Sequence, residues 1–192
     1  HTGTEGGHAI TDILLGKHNP GGKLPITFPR SVGQIPIFYY AKNTGRPIDL
    51  NDKYTSKYLD ESNDPLFPFG FGLSYTQFDY SEPTIDRASI NRNQTVTITV
   101  EVTNSGEMAG VEIVQLYLQD LVGSVTRPVR ELKAFERIKL QAGQTQTVSF
   151  TLDITDLSFY RRDRSVGSEP GQFRAYIGPH SNTTAFVEFS LQ

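Results

Sequence analysis

Residues 96–102 read Val-Thr-Ile-Thr-Val-Glu-Val, so that every second residue is apolar. Successive side chains of a β-strand point to opposite faces of a sheet, and this stretch therefore predicts a strand with one buried face. The turn-forming residues Asn104-Ser105-Gly106 end the strand. A strand of this kind is not stable alone, so the sequence around it has to supply the rest of an apolar layer.

The sequence after this strand repeats the same pattern as far as the C-terminus. Val114, Leu116 and Leu118 alternate with other residues, whereas Val111 and Ile113 have the opposite parity, which predicts a β-bulge near residue 113. Further strands are predicted at residues 132–140, 148–152, 173–177 and 187–191. The predicted turns are a hairpin turn at Gln141–Gln144 and a turn at Glu169-Pro170-Gly171 with Pro second and Gly third.

Six or seven short strands separated by turns, without a helix, are typical of a β-sandwich. We expect this sandwich at residues 77–192. Its strands within residues 95–118 are predicted to form one hairpin-like pair, and those within 132–152 a second. The fold class is therefore mainly β.

The N-terminal residues have a different pattern, typical of part of an α/β layer. Residues 4–16 are predicted to form a helix, because Thr4 can cap its start and Gly16 suits the position just after its end. The apolar residues at helical spacing are Ala9, Ile10, Ile13 and Leu14. Residues 23–28 alternate and predict one strand, which Pro25 places at a sheet edge because it cannot donate a hydrogen bond.

Residues 29–76 show no sustained period and are rich in proline and aromatic residues. We predict an ordered but irregular arm that packs its aromatic side chains on neighbouring surfaces. The sequence then divides into a segment at 1–66 with the helix, the strand and the arm, a linker at 67–76, and the β-sandwich at 77–192.

Charge and composition exclude several classes of function. The chain of 192 residues has a formal net charge of −3 and no long basic run, which argues against nucleic acid or a membrane surface as a partner. It has no cysteine, so disulfides and Cys-ligated metals are excluded. The chain starts without an initiator Met and without a signal peptide, and we expect it to be a fragment of a longer protein.

Few residues could carry chemistry. The four histidines are His1, His8, His18 and His180. They include no pair at i and i+4 and no acidic residues that complete a ligand set, so neither a metal nor a cofactor is predicted. Gly3–Gly7 is glycine-rich at a helix start, which is compatible with an anion site or with close packing of the helix.

Two groups of arm residues have alternative interpretations. The acidic residues are Asp49, Asp52, Asp60, Glu61 and Asp64. Two of them could form a glycosidase pair, but their spacing selects none, and solvated loop acids are the alternative. The aromatic residues are Phe38, Tyr39, Tyr40, Tyr54 and Tyr58. They could stack on sugars or form core contacts of the arm.

Taken in order, the motifs resemble the C-terminal part of family 3 glycoside hydrolases. Those resembling the end of the second catalytic-region domain are Gly3–Gly7, Asn19–Pro25 and Phe28–Arg30. Val32–Pro36 and Asn43–Pro47 resemble a segment of bacterial periplasmic β-glucosidases, and Pro68–Thr76 is similar to the family's linker. Glu131–Ile138 and Glu169–Gly171 resemble its fibronectin type III-like domain.

The resemblance implies a retaining, exo-acting β-glucosidase that removes terminal non-reducing β-D-glucosyl residues. The family's Asp nucleophile and Glu acid/base lie upstream of residue 1 in its motif order, so no catalytic residue is carried over and this chain is expected to be inactive alone. The alternative function is a carbohydrate-binding or adhesion module. Arg46 is the one residue that we expect near an active-site mouth, with a loop-fixing hydrogen bond as the alternative role.

The implied partners are the upstream (β/α)8-type barrel and α/β sandwich domains of the parent chain and, through the parent, β-glucoside oligosaccharides. The implied location is periplasmic or secreted. If the helix and the strand belong to a severed α/β layer, their apolar faces have lost their partners. We therefore predict that the chain self-associates through this region or that the region docks onto the sandwich.

Overall fold

The structure is a computed structural model that describes residues 3–49 and 51–192. The helices are α1 (Gly6–Leu14) and a 3-10 turn at Val32–Gln34. The strands are β1 (Phe78–Tyr80), β2 (Thr84–Ile85), β3 (Ser89–Ile90), β4 (Val96–Asn104), β5 (Gly110–Asp120), β6 (Glu131–Leu140), β7 (Thr145–Leu152), β8 (Phe159–Tyr160), β9 (Val166–Gly167), β10 (Gly171–Gly178) and β11 (Phe186–Leu191).

Helix α1 ends as the sequence predicts but begins differently. Gly16 has φ +73°, and the Gly16 and Lys17 amides donate to the carbonyls of Ile13 and Asp12 at 2.9 and 2.8 Å, which is a Schellman ending. The predicted cap at Thr4 is wrong, since the N-cap is Glu5 and no side-chain hydrogen bond caps the helix start. The Glu5 carboxylate instead contacts His8 Nδ1 at 2.8 Å.

The single strand predicted at residues 23–28 is also wrong. The Leu24 amide donates to the Phe71 carbonyl at 2.8 Å, and the Phe28 amide donates to that of Phe67 at 2.9 Å. Between these two contacts Pro25 offers no N–H group, so the ladder is interrupted and only an isolated bridge between Phe28 and Phe67 remains. The segment is therefore extended and paired with the linker, but it is not a regular strand.

The predicted β-sandwich is confirmed. One sheet has β4 at its centre, with β1 and β2 on one side and β7 on the other, and the second has the order β3-β11-β10-β5-β6. The alternating apolar residues of β4 are almost wholly buried between the sheets; they are Val96, Ile98, Val100 and Val102. Full burial of one such side chain contributes about 1.5–3 kcal/mol.

The pairing of the central strands corrects the predicted hairpins. β4 pairs with β7 and β5 pairs with β6, so neither predicted pair exists. Residues 141–144 do not close a hairpin but carry the chain from one sheet to the other, because β6 and β7 lie in different sheets. The predicted turn at Glu169-Pro170-Gly171 is not formed either, since Gly171 already starts β10 and lacks a positive φ.

Both faces of β5 are covered, which explains why its apolar residues occupy both odd and even positions. The register of β5 with β6 is regular through Ile113 and shifts only between Leu116 and Tyr117, so the bulge predicted near 113 is wrong. Leu116 is wholly buried on the core side, while Gln115 and Tyr117 are buried with 3% and 0% exposure on the other side. The arm and the loop after β10 cover this second face.

The irregular arm is confirmed for the residues that the structure describes, since no regular strand lies within 29–49 or 51–76. Its base is closed by Gln34, which is only 3% exposed. The Gln34 side-chain amide donates to the carbonyls of Ser62 and Asp64 at 2.8 and 3.2 Å, and its oxygen accepts from the Arg30 amide at 2.6 Å. The buried Gln34 side chain thus joins residues near position 30 to residues 62 and 64, across the long segment between them.

Candidate functional site

The loop that carries Arg46 is shaped by short polar side chains. Asn43 Oδ1 accepts from the Gly45 amide at 3.3 Å, and Thr44 Oγ1 donates to the Arg46 carbonyl at 3.3 Å. Gly45 has φ +78°, a backbone conformation that glycine adopts without strain. These local bonds turn the chain so that Arg46 stands on the outside of the loop.

Arg46 lines an open pocket of 640 Å³, and the other lining residues are Pro47, Asp49, Asp52, Tyr54 and Thr55. Within the described ranges, no hydrogen bond or ion pair is found for the Arg46 guanidinium. The alternative role that the sequence allowed, a hydrogen bond that fixes the loop, is therefore not seen for its side chain.

The carboxylates of the arm cap turns and do not form a catalytic pair. Asp49 Oδ1 accepts from the Asn51 amide and Asp52 Oδ1 from the Tyr54 amide, both at 2.8 Å. Glu61 accepts from the Ser31 hydroxyl at 2.6 Å. Asp49 and Asp52 are exposed, whereas a glycosidase acid needs an apolar setting that keeps it protonated. Solvated loop acids are the interpretation that these contacts favour.

The aromatic residues of the arm divide into two groups. Tyr39 is half-buried and stacks on Phe69 with ring centroids 4.3 Å apart, as the core-contact interpretation expects. Phe38 and Tyr40 form an exposed tilted pair with centroids 5.5 Å apart. Tyr54 and Tyr58 are exposed as well.

The histidines are dispersed. His8 contacts only Glu5 among its charged neighbours, and His18 is exposed, whereas His180 is half-buried with burial lowering its pKa. His1 lies outside the described residues. Residues 3–49 and 51–192 contain no cluster of His, Asp or Glu that could hold a metal ion, and no helix among them is long and apolar enough to cross a membrane.

A buried polar network joins the arm to the sandwich. Gln115 Nε2 donates to the carbonyls of Pro179 and Gly70 at 2.6 and 3.1 Å, and Gln115 Oε1 accepts from the Tyr117 hydroxyl at 2.5 Å. Gly70 has φ +80°, and a Cβ atom there would lie 2.1 Å from Gln115 Oε1. A side chain at residue 70 would overlap Gln115, so only glycine fits there. Close packing therefore holds the linker against β5 in addition to the hydrogen bonds.

A buried charge pair lies at the same junction. Lys23 Nζ is 2.8 Å from Glu112 Oε1, and their side chains are 14% and 5% exposed. The Tyr80 hydroxyl donates to the same oxygen at 3.0 Å, and burial followed by the Glu112 charge raises the pKa of Tyr80 far above its ordinary value. Because an unpaired buried carboxylate is costly, Lys23 ties the N-terminal segment to the sandwich.

The N-terminal segment leaves a wide apolar groove open to solvent. The groove has a volume of 780 Å³, and its lining residues are Ile13, Pro20, Gly21, Gly22, Lys23, Leu24, Phe28, Phe67, Phe71, Gly72, Leu73, Ser74 and Tyr75. In helix α1 only Gly6 is buried, while Ile10 and Leu14 are 49% and 73% exposed. These side chains form an exposed apolar surface beside the groove.

The junction role of Lys23, Glu112 and Gln115 was not predicted from the sequence. A signal existed in Glu112 and Gln115, two polar residues within the apolar run of β5. A polar side chain in such a run needs a partner from another segment, and here the arm supplies it.

The chain matches two family profiles. Residues 1–75 match the Glycosyl hydrolase family 3 C-terminal domain, and residues 112–181 match the Fibronectin type III-like domain. A periplasmic β-glucosidase of Salmonella typhimurium is 52% identical over 98% of this chain, and a β-xylosidase of Formosa agariphila is 43% identical over 98%. The chain spans about a quarter of the length of these relatives, 25% in each case.

Solved structures give the same result for the fold. The crystal structure of the β-glucosidase from Listeria innocua in complex with glucose has a TM-score of 0.93 and 40% identity. The match covers 98% of this chain and 26% of that one. The arm, the linker and the sandwich thus have the same relative placement in both proteins.

Proposed function

Since this chain belongs to glycoside hydrolase family 3, we propose that it is the C-terminal part of an exo-acting, retaining β-glucosidase and serves there as a scaffold. The catalytic nucleophile and acid/base belong to upstream domains, and this chain contributes no catalytic group. The observation that carries the proposal is the apolar groove beside α1, which requires a covering surface.

The occupant of the groove is the rest of the α/β sandwich domain of the parent chain. Two features support this assignment. The curated relatives are about four times as long as the matched segment, so their chains contain enough residues to cover the groove. The Glycosyl hydrolase family 3 C-terminal domain profile also matches the residues that line it, up to residue 75. The division into 1–66, 67–76 and 77–192 then separates the docked segment, the linker and the sandwich.

The sugar is a terminal β-linked glucose or a related pyranose. Relatives with 52% and 43% identity are named a β-glucosidase and a β-xylosidase, so both nitrophenyl sugars belong in the assay. The location is periplasmic, as the name of the Salmonella relative suggests. We place Arg46 near the active-site mouth, since it lies on an exposed loop and its guanidinium has no partner among the described residues.

Activity measured in trans tests the scaffold role. The parent enzyme is expressed without this chain, and purified chain is added back to it with nitrophenyl β-glucoside and β-xyloside as substrates. We expect the truncated enzyme to be aggregated or weakly active, the chain alone to be inactive, and the mixture to recover activity. Full activity without the chain contradicts the scaffold role, and robust turnover by the chain alone contradicts its inactivity.

A carbohydrate-binding role is the second candidate. The exposed Phe38–Tyr40 pair favours it, since an exposed aromatic pair can stack on a pyranose ring. Calorimetric titration of the chain with cello- and xylo-oligosaccharides tests this role, with a Phe38→Ala variant as control. Saturable binding that the variant loses supports the role, and no heat at millimolar sugar removes it.

A further inference from the structure

The loop between β5 and β6 reaches across to the arm just before the Arg46 loop. Lys42 and Pro128 form an antiparallel bridge, and the Val129 amide donates to the Ala41 carbonyl at 2.9 Å. Asn43 also lines a pocket of 260 Å³ with this loop, at residues 119–123 and 125–129. Residues 41–43 are therefore held by the sandwich through backbone contacts.

Tyr39 adds a second contact two residues earlier. Its ring stacks on Phe69 at 4.3 Å and meets the Tyr117 ring edge-on, with centroids 5.8 Å apart. The Tyr39 oxygen accepts from the Leu132 amide at 3.5 Å. Tyr117 is fully buried in β5, so Tyr39 packs against a wholly enclosed residue of the sandwich.

Between residues 44 and 55, the part of the arm that the structure describes has no comparable support. The hydrogen bonds described for residues 43–55 join these residues to one another or to Lys57. The loop is thus internally braced but exposed. It is attached through residues 39–43 on one side and through Tyr58 on the other, whose hydroxyl donates to the Gly33 carbonyl at 3.2 Å. We expect a shift at residues 39–43 to be passed on to Arg46, which follows closely in the chain.

We propose that Tyr39 and Val129 are positioning residues through which the sandwich sets the location of the Arg46 loop at the active-site mouth. The inference rests on the proposed function, since it deepens the role given there to Arg46. The sandwich then influences how an oligosaccharide binds at the active-site mouth, although it supplies no catalytic group.

The test uses the full-length enzyme with the variants Val129→Pro and Val129→Ala. Proline removes the N–H group that donates to Ala41, while alanine keeps it and removes only the exposed side chain. We expect Val129→Pro to raise KM for disaccharides several-fold with little change in kcat, and to speed hydrogen exchange at residues 43–55. Val129→Ala is expected to match the parent in both measurements.

A second pair of variants guards against a folding defect of Val129→Pro. Tyr39→Ala removes the ring contacts, whereas Tyr39→Phe keeps them and loses only the weak bond to Leu132. We expect faster exchange at residues 43–55 and a raised KM in Tyr39→Ala, and near-parent behaviour in Tyr39→Phe. Unchanged exchange in both Val129→Pro and Tyr39→Ala overturns the inference.

The two proposals fail in different measurements. If Arg46→Ala leaves KM unchanged for every sugar, the role of Arg46 fails, and the exchange data still decide whether the sandwich holds the loop. If both stand, Arg46→Ala combined with Val129→Pro raises KM less than the product of the single effects, because both act on one contact. Strictly multiplicative effects contradict the link between them.

Discussion

The Lys23 ammonium group of the N-terminal segment lies 2.8 Å from the Glu112 carboxylate of the sandwich, and both side chains are nearly inaccessible to solvent. Removing one partner of a buried pair strands the other charge, so we expect Lys23→Met to lower the free energy of unfolding by about 3–5 kcal/mol. The double variant Lys23→Met/Glu112→Gln should recover a large part of this loss. Urea denaturation measures both, with Lys139→Met at an exposed position of β6 as the control.

Gly70 and Gly143 allow the energetic cost of steric overlap to be separated from that of backbone strain. Both have positive φ, +80° and +74°, but a Cβ atom would meet Gln115 and Tyr117 at residue 70 and nothing within 4 Å at residue 143. We expect Gly143→Ala to cost about 1–2 kcal/mol from backbone strain alone. Gly70→Ala should cost about 1–3 kcal/mol more because of overpacking. If thermal or urea denaturation shows equal losses of unfolding free energy in the two variants, the Gln115 and Tyr117 side chains move aside at no energetic cost.

The exposed face of α1 predicts self-association of this chain when it is studied alone. Leu14 and Leu15 are 73% and 68% exposed beside the apolar groove, and such a surface drives association in water. Sedimentation velocity should show concentration-dependent oligomers, and Leu14→Lys/Leu15→Lys should shift them to monomer. Val122→Lys, at a 79% exposed position in the loop after β5, is the control. A monodisperse monomer before mutation would contradict the prediction.

His180 predicts a pH dependence of stability. Burial, with a smaller effect of Lys23, lowers the pKa of His180 in the folded protein. Protonation is therefore easier in the unfolded state, and stability falls as pH drops below the unfolded pKa of about 6.5. The carboxylates with lowered pKa values, such as Asp153, titrate only at lower pH.

We expect the melting temperature to decline as pH falls below about 6.5 and His180→Asn to flatten this decline. The Asn oxygen can still accept from the Asn182 amide, which His180 Nδ1 contacts at 3.2 Å, so the variant removes the titration and keeps the bond. His18→Asn, at an exposed position, is the matched control. An unchanged slope in His180→Asn would assign the decline to other groups.

The sandwich could be predicted from the sequence because the apolar alternation that identifies each strand lies within a few consecutive residues. The alternation in residues 96–102 alone assigns β4, and the Schellman ending of α1 follows from Gly16. Strand pairing is not local, and it was predicted wrongly. Residues 141–144 have the composition of a hairpin turn, but whether such a turn joins neighbours or crosses between sheets depends on packing of both layers.

The candidate site could be predicted only in part, for a similar reason. The short polar residues around Arg46 indicate a loop, yet nothing in them indicates that Val129 holds its base. The parity of Val111 and Ile113 was interpreted as a bulge because a strand buried on both faces is unusual in an antiparallel sandwich. The second face of β5 is covered by residues that are distant in the chain, and a contact of this kind produces no periodic pattern in the sequence.

The last strand has a consequence for how the protein is made. β11 is placed between β10 and β3, with Leu191 aligned beside Ile90. This sheet therefore cannot close until β11 has been synthesised, and before then β10 and β3 present open edges. Loss of β11 would leave these edges exposed, and we expect a variant without it to depend more strongly on chaperones.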